Sequence, residues 1–177
     1  MKRFTYFLHA IVLVILVLID QISKYFVRGY VKGNPVSVWE GVFSLYYHEN
    51  RGSVWGILQG KVDFLLIVSI FLFVVLIYVY VRMPKQKQYA SLLWIDVFLL
   101  AGALGNTIDR LFLGYVTDFL YFELINFPIF NIADCYITVC AFLTIILAVT
   151  KYKDDDFAFL SLKRKEMPDA DTKSDEI

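Results

Sequence analysis

Cysteine and histidine are scarce, two of each in 177 residues, and neither pair is placed for chemistry that needs both members. Cys135 and Cys140 stand five apart in one apolar run. Helix geometry there points their side chains in different directions, so no disulfide is expected and both read as small apolar fillers. His9 and His48 lie far apart along the chain, and neither has a second ligand at metal spacing, so no metal site is expected. An excess of either charge is also missing: 17 Lys and Arg balance 17 Asp and Glu. A nucleic-acid partner would need a concentrated basic face, and none is present. No internal repeat is evident.

What is abundant is apolar and aromatic surface. Hydrophobic residues make up 59% of the chain and aromatics 18%, with a mean hydropathy of +0.61. Soluble domains carry roughly 45–50% apolar residues, so the composition points to a membrane protein. Four apolar stretches, about 5–27, 61–81, 90–111 and 129–150, approach the roughly 20 residues that a helix needs to cross a bilayer. The first is not read as a cleavable leader, because Asp20-Gln21-Ile22-Ser23-Lys24 follows it where small residues should stand. Four crossings put both ends on one side. That side, with the 82–87 connection, carries eleven Lys and Arg against six on the other, which predicts cytoplasmic termini. The expected organisation is one four-span membrane domain over 1–150, with an outer segment over 28–60, and a mobile, polar cytoplasmic tail over 151–177.

The outer segment mixes β-branched and aromatic residues with Gly41, Gly52, Gly56 and Gly60, the composition of short strands or a curved hairpin. Trp39, Tyr46, Tyr47, Trp55, Tyr115, Tyr121 and Phe122 fall near the outer ends of the spans. They read either as an interfacial belt or, further, as a platform for a lipid-bearing substrate.

Ionisable residues near hydrocarbon are costly unless they face a bundle interior, water or a partner. Asp20 and Lys24, at i and i+4, can pair on one helix face at the end of the first span, as an anchoring ion pair or as part of a site. In Gly102-Ala103-Leu104-Gly105-Asn106-Thr107-Ile108-Asp109-Arg110, the two glycines permit close helix approach. Asn106 and Arg110 share a face there, for packing or to hold something polar. Asp118, on a loop after the third span, and Asp134, on the fourth with Asn131 one turn before it, stand at similar depth. If they converge in a poorly hydrated pocket they must share one proton, because like charges cannot both ionise cheaply there. Aspartyl peptidases use that arrangement. Ion pathways also use buried carboxylates, and Asp96 keeps a transporter or proton-pathway reading open; an assembly factor would need these residues only for packing.

Five segments in this order, Asp20-Gln21-Ile22-Ser23-Lys24, Asn50-Arg51-Gly52-Ser53-Val54-Trp55, Gly105-Asn106-Thr107-Ile108-Asp109-Arg110, Val116-Thr117-Asp118-Phe119 and Phe130-Asn131-Ile132-Ala133-Asp134, resemble the lipoprotein signal peptidase (signal peptidase II) family. The resemblance runs from the first span to the fourth. It implies a membrane all-α fold, a four-transmembrane-helix bundle with a small extramembrane β-sheet and a short interfacial helix. It also implies an aspartyl endopeptidase that cuts diacylglyceryl-modified prolipoproteins before the lipidated cysteine. Asp118 and Asp134 match the catalytic pair; Asn106, Arg110 and Asn131 match positions around it; Asp20, Lys24, Asn50 and Gly52 match supporting positions. No metal or organic cofactor is implied. The expected partners are the prolipoprotein and membrane lipids, the expected state is a monomer, and the expected location is the bacterial cytoplasmic membrane with the site near its outer face. Ser53-Val54-Trp55 departs from the pattern, since small residues followed by Phe are common there; the larger ring bears on substrate contacts more than on chemistry.

Overall fold

The computed structural model describes residues 2–52 and 58–161. Ser53, Val54, Trp55 and Gly56, and the far part of the expected tail, lie outside the described residues. Among the described residues, four helices are long and apolar enough to cross a membrane: α1 (Lys2–Tyr30), α2 (Val62–Arg82), α3 (Ala90–Leu113) and α4 (Ile132–Thr150). Strands β1 (Val36–Trp39) and β2 (Phe43–Asn50) lie between α1 and α2, and β3 (Val116–Tyr121) follows α3. They form one antiparallel sheet in the order β1-β2-β3. The short-strand reading of the outer segment thus meets a real hairpin, and β3 adds a third strand to it.

α3 is the axis of the bundle and packs against each of the other three helices. Twelve of its residues are buried, against one in α2 and two in α4. Its sequence explains the difference. α2 is apolar all round, and rings and branched chains such as Phe64, Ile67, Phe71 and Val74 remain exposed on it, as suits a surface bathed in lipid. Because lipid tails are as apolar as leucine, helices in a membrane gain little from burying more hydrocarbon, and close packing has to come from small residues. Gly102 and Gly105 supply it. A Cβ at Gly102 would stand 2.6 Å from the Ala133 carbonyl oxygen of α4, and one at Gly105 would stand 2.5 Å from Asp20 Oδ2 of α1. Both neighbours therefore reach the α3 backbone itself.

Several boundaries differ from the sequence reading. α1 runs on to Tyr30, so Asp20 and Lys24 do not end the span but sit well inside the helix, both fully buried. α3 stops at Gly114, whose φ of 74° provides a left-handed cap that most residues resist. Asp118 follows not on a loop but in the middle of β3, where His48 of β2 is its register partner. α4 begins at residue 132 rather than 129, because Asn131 is extended and caps it with a reciprocal pair of bonds to Asp134. Phe130, just before, is tied to Leu120 of β3 in an isolated bridge. The segment past 150, expected to be a mobile tail, starts as packed structure. Tyr152 is buried with Met83, Tyr89, Leu92 and Leu93, and Phe157 and Phe159 of a 3-10 turn over Asp154–Leu160 pack on that cluster.

Candidate active site

Three polypeptide connections converge where α3 and α4 meet the sheet. β3 carries Asp118, β2 ends in Asn50, and the first turn of α4 carries Asp134. Both aspartates line one cavity of about 820 Å³, together with Asn50, Gly52, Asn106 and Arg110. From this polar end the cavity continues along apolar side chains of α2 and α4, among them Leu65, Val68, Leu72, Ile137 and Val139. The two acids, 16 positions apart in sequence, are thereby brought into one pocket.

Asn131 joins them directly. Its Nδ2 donates to Asp118 Oδ1 at 2.6 Å, and its Oδ1 accepts from the Asp134 backbone N–H at 3.0 Å. Its own N–H donates to Asp134 Oδ2 at 3.1 Å. The bonds that cap α4 therefore also fix the positions of both carboxylates. Two further asparagines complete the set: Asn50 Nδ2 donates to Asp118 Oδ2 at 2.8 Å, and Asn106 Nδ2 donates to Asp134 Oδ1 at 2.8 Å.

Each amide has only one workable orientation, since its oxygen is held by a donor from elsewhere. Gly52 N–H donates to Asn50 Oδ1 at 2.9 Å, Asp134 N–H holds Asn131 Oδ1, and Lys24 Nζ donates to Asn106 Oδ1 at 3.0 Å. An amide turned the other way would set two donors, or two acceptors, against one another. This is what Gly52 and Lys24 contribute: neither bonds an aspartate of the pair, and each points an –NH₂ group at one.

Lys24 lies in a fully buried network behind the pair. It forms ion pairs with Asp20 at 2.9 Å and with Asp109 at 3.4 Å. Asp20 Oδ1 in turn accepts from Ala133 N–H at 3.0 Å, one of the open donors at the start of α4. Asp109 Oδ2 accepts from Thr117 N–H at 2.9 Å, next to Asp118 on β3. Gln21 donates to Asp20, Asp109 and the Gly105 carbonyl. The network thus pins α1, α3, β3 and α4 to one another around the site. Asp109 and Gln21 belong to it as fully as Asp20 and Lys24. Their signal in the sequence was membership of the same short segments, but their partners are up to 88 residues away.

The electrostatics follow from burial. Asp118 is 1% exposed. Burial, followed by the neighbouring Asp134 charge, pushes its carboxyl up to about 7 against the bonds from Asn50 and Asn131. Arg110 faces the same cavity, with Nη1 donating to Ser69 Oγ of α2 at 3.2 Å. With Lys24 set against Asp20 and Asp109, and Arg28 Nη1 4.0 Å from Asp109, the buried network is balanced. Asp118, Asp134 and Arg110 then balance only when the two acids hold one proton between them. Asp96 is not among the cavity's lining residues, so the acid that kept a transporter reading open stands apart from the pair. Both cysteines are free, and among the described residues no group of His, Cys, Asp and Glu is placed to hold a metal ion.

Comparison with known proteins places the chain in a family. Residues 12–150 match the family model described as signal peptidase (SPase) II. The lipoprotein signal peptidase of Enterococcus faecalis is 40% identical over 140 residues, covering 75% of this chain and 84% of that one. That of Staphylococcus aureus is 38% identical over 140 residues, covering 77% and 84%. Two solved structures, described as bacterial membrane enzyme structures obtained by the in meso method at 2.3 and 1.9 Å resolution, superpose with TM-scores of 0.72 and 0.70 at 35% identity. They cover 82% and 81% of this chain and 92% and 94% of theirs. A match over that much of the chain, in sequence and in fold, makes this membrane protein a member of the signal peptidase II family of peptidases.

Proposed function

We propose that this protein is an aspartyl endopeptidase that removes signal peptides from diacylglyceryl-modified prolipoproteins, with Asp118 and Asp134 as its catalytic pair. The observation that carries the reading is the joint attachment of both carboxylates to Asn131 at the polar end of a long apolar cavity. An apolar signal helix and acyl chains enter such a cavity from the membrane, while the scissile bond stays at the polar end. A water between the acids loses a proton to the ionised carboxylate as it attacks the carbonyl carbon. The protonated partner meanwhile donates to the carbonyl oxygen. Collapse of the tetrahedral intermediate breaks the C–N bond, and the carboxyl group passes its proton to the departing amine of the lipid-bearing cysteine. Arg110 and the three asparagines hold the charge and orientation of the pair through these steps.

The Lys and Arg asymmetry supports cytoplasmic termini and a site near the outer face. Both acids and all three amides come from one chain, which supports action as a monomer. The test is cleavage of a diacylglyceryl precursor, followed by gel shift, with Asp118→Asn and Asp134→Asn. Each variant is expected to insert and fold but to lose at least the roughly 10²–10⁴-fold that acid–base groups contribute. Near-normal cleavage by either one removes that residue from the pair.

A further inference from the structure

At the opposite end of the bundle, the start of α1, the end of α2 and the start of α3 enclose a second cavity of about 240 Å³. α1 and α2 meet there through aromatic rings: Tyr6 lies edge-on to Tyr80, and His9 contacts both Tyr80 and Trp94. His9 Nδ1 and Tyr80 Oη are hydrogen bonded at 2.8 Å, which fixes this wall. The cavity lining includes Lys85 and Lys87 and, among the described residues, no acid.

Lys85 is the informative side chain. It is half-buried, and its Nζ donates to the Tyr80 carbonyl and lies 3.9 Å from the centre of the Tyr80 ring and 5.6 Å from that of Tyr6. No carboxylate stands within ion-pair distance of it among the described residues. Burial holds its ammonium below the ordinary lysine range, and Asp96, which does not line the cavity, only partly offsets this. A poorly solvated cation facing a cavity without an acid is a site short of an anion. Its surroundings indicate the source of that anion. Phe4, Phe7, Ile77 and Val81, each within one turn of a lining residue, are exposed on the lipid-facing surface. The volume is below the roughly 300–1,000 Å³ of pockets that engulf a whole organic ligand, and suits a headgroup whose tails stay outside.

We propose that this cavity seats the phosphate headgroup of an anionic phospholipid from the leaflet at that end of the bundle, with Lys85 and Lys87 as its partners and its chains lying along α1 and α2. Basic pockets between transmembrane helices at an interface have this chemistry. Trp94, which lines the cavity, reports occupancy without disturbing either lysine.

The experiment uses full-length protein carrying Trp39→Phe and Trp55→Phe, reconstituted in mixed vesicles. Brominated phosphatidylglycerol diluted into phosphatidylcholine is expected to quench Trp94 well beyond its mole fraction; brominated phosphatidylcholine diluted into phosphatidylglycerol is expected to quench it less than its mole fraction predicts. With Lys85→Gln and Lys87→Gln added, the preference is expected to fall about thirtyfold, at about 1 kcal/mol per lysine. Equal quenching by the two lipids in the protein with both lysines overturns the proposal, whatever the variant does. Loss of the preference on adding 10 mM inorganic phosphate, but not an equal ionic strength of chloride, also overturns it by assigning the site to free phosphate.

Discussion

Replacing Asn50 by alanine removes one of the two amide donors on Asp118, the 2.8 Å bond to Oδ2, and leaves Asn131 on the other oxygen. The perturbation is selective because Asn50 touches neither Asp134 nor the buried network: its other bond is a local turn to Gly52. A hydrogen bond to a charged acceptor contributes roughly 1.5–3 kcal/mol, and it favours the ionised form of Asp118. Asn50 lines an open cavity, so water replaces part of what is lost, and about 1.4 kcal/mol, or one pH unit, remains. With Asp118 already pushed up to about 7 by burial and by Asp134, the proton shared by the pair is expected to reside on Asp118. In the proposed mechanism its loss sets the alkaline limb of activity. In Asn50→Ala that limb should move up by about one unit while the acid limb stays in place. The assay is kcat/KM for a diacylglyceryl precursor in detergent between pH 5 and 9. A shift confined to the acid limb would place the shared proton on Asp134, and a downward shift of the alkaline limb would refute the reasoning.

Four further outcomes follow from the same geometry. Lys24→Met leaves Asp20 and Asp109 buried without their ammonium and should cost about 3–5 kcal/mol, read by denaturant unfolding in detergent; a loss below 1 kcal/mol would contradict the buried network. Gly105→Ala sets a methyl 2.5 Å from Asp20 Oδ2 and should cost about 1–3 kcal/mol by forcing α1 from α3, visible as a lower Tm. Asp118→Asn should change the pH dependence of stability. Since the folded carboxyl sits at about 7 and the unpaired one at 3.8, the folded state holds the proton more tightly, so stability falls as pH rises between those values. The variant should lose Asp118's share of that slope, and an unchanged slope between pH 4 and 7 counts against it. Glu49, part-exposed and paired with Lys32 and Arg51 at the surface, should tolerate Glu49→Gln within about 1 kcal/mol, checked by the same unfolding assay.

Much of the architecture was legible because it is local. An apolar run near 20 residues is a span whatever it packs against, and Gly102 and Gly105 announce a close helix contact through their lack of a side chain. The paired spacing of Asp20 and Lys24, and of Asn131 and Asp134, is a property of one helix. The strand at 116–121 was not legible in the same way. Its extended backbone is stabilised by pairing with β2, which lies some 70 residues earlier, and nothing within the six residues requires it. The packed start of the tail escaped for a similar reason, because Tyr152, Phe157 and Phe159 have little apolar periodicity of their own and gain order from Met83, Tyr89 and Leu92.

The sequence by itself determined that the chain crosses a membrane four times and which acids stand at the expense of hydrocarbon, since both depend on composition and spacing. Only the tertiary structure decided that Asp118 and Asp134 meet on Asn131, that Lys24 turns the amide of Asn106, and that Asp109 and Gln21 join α1, α3 and β3. Orienting a carboxylate takes donors from several directions at once, and a chain can supply those only by folding distant segments around it.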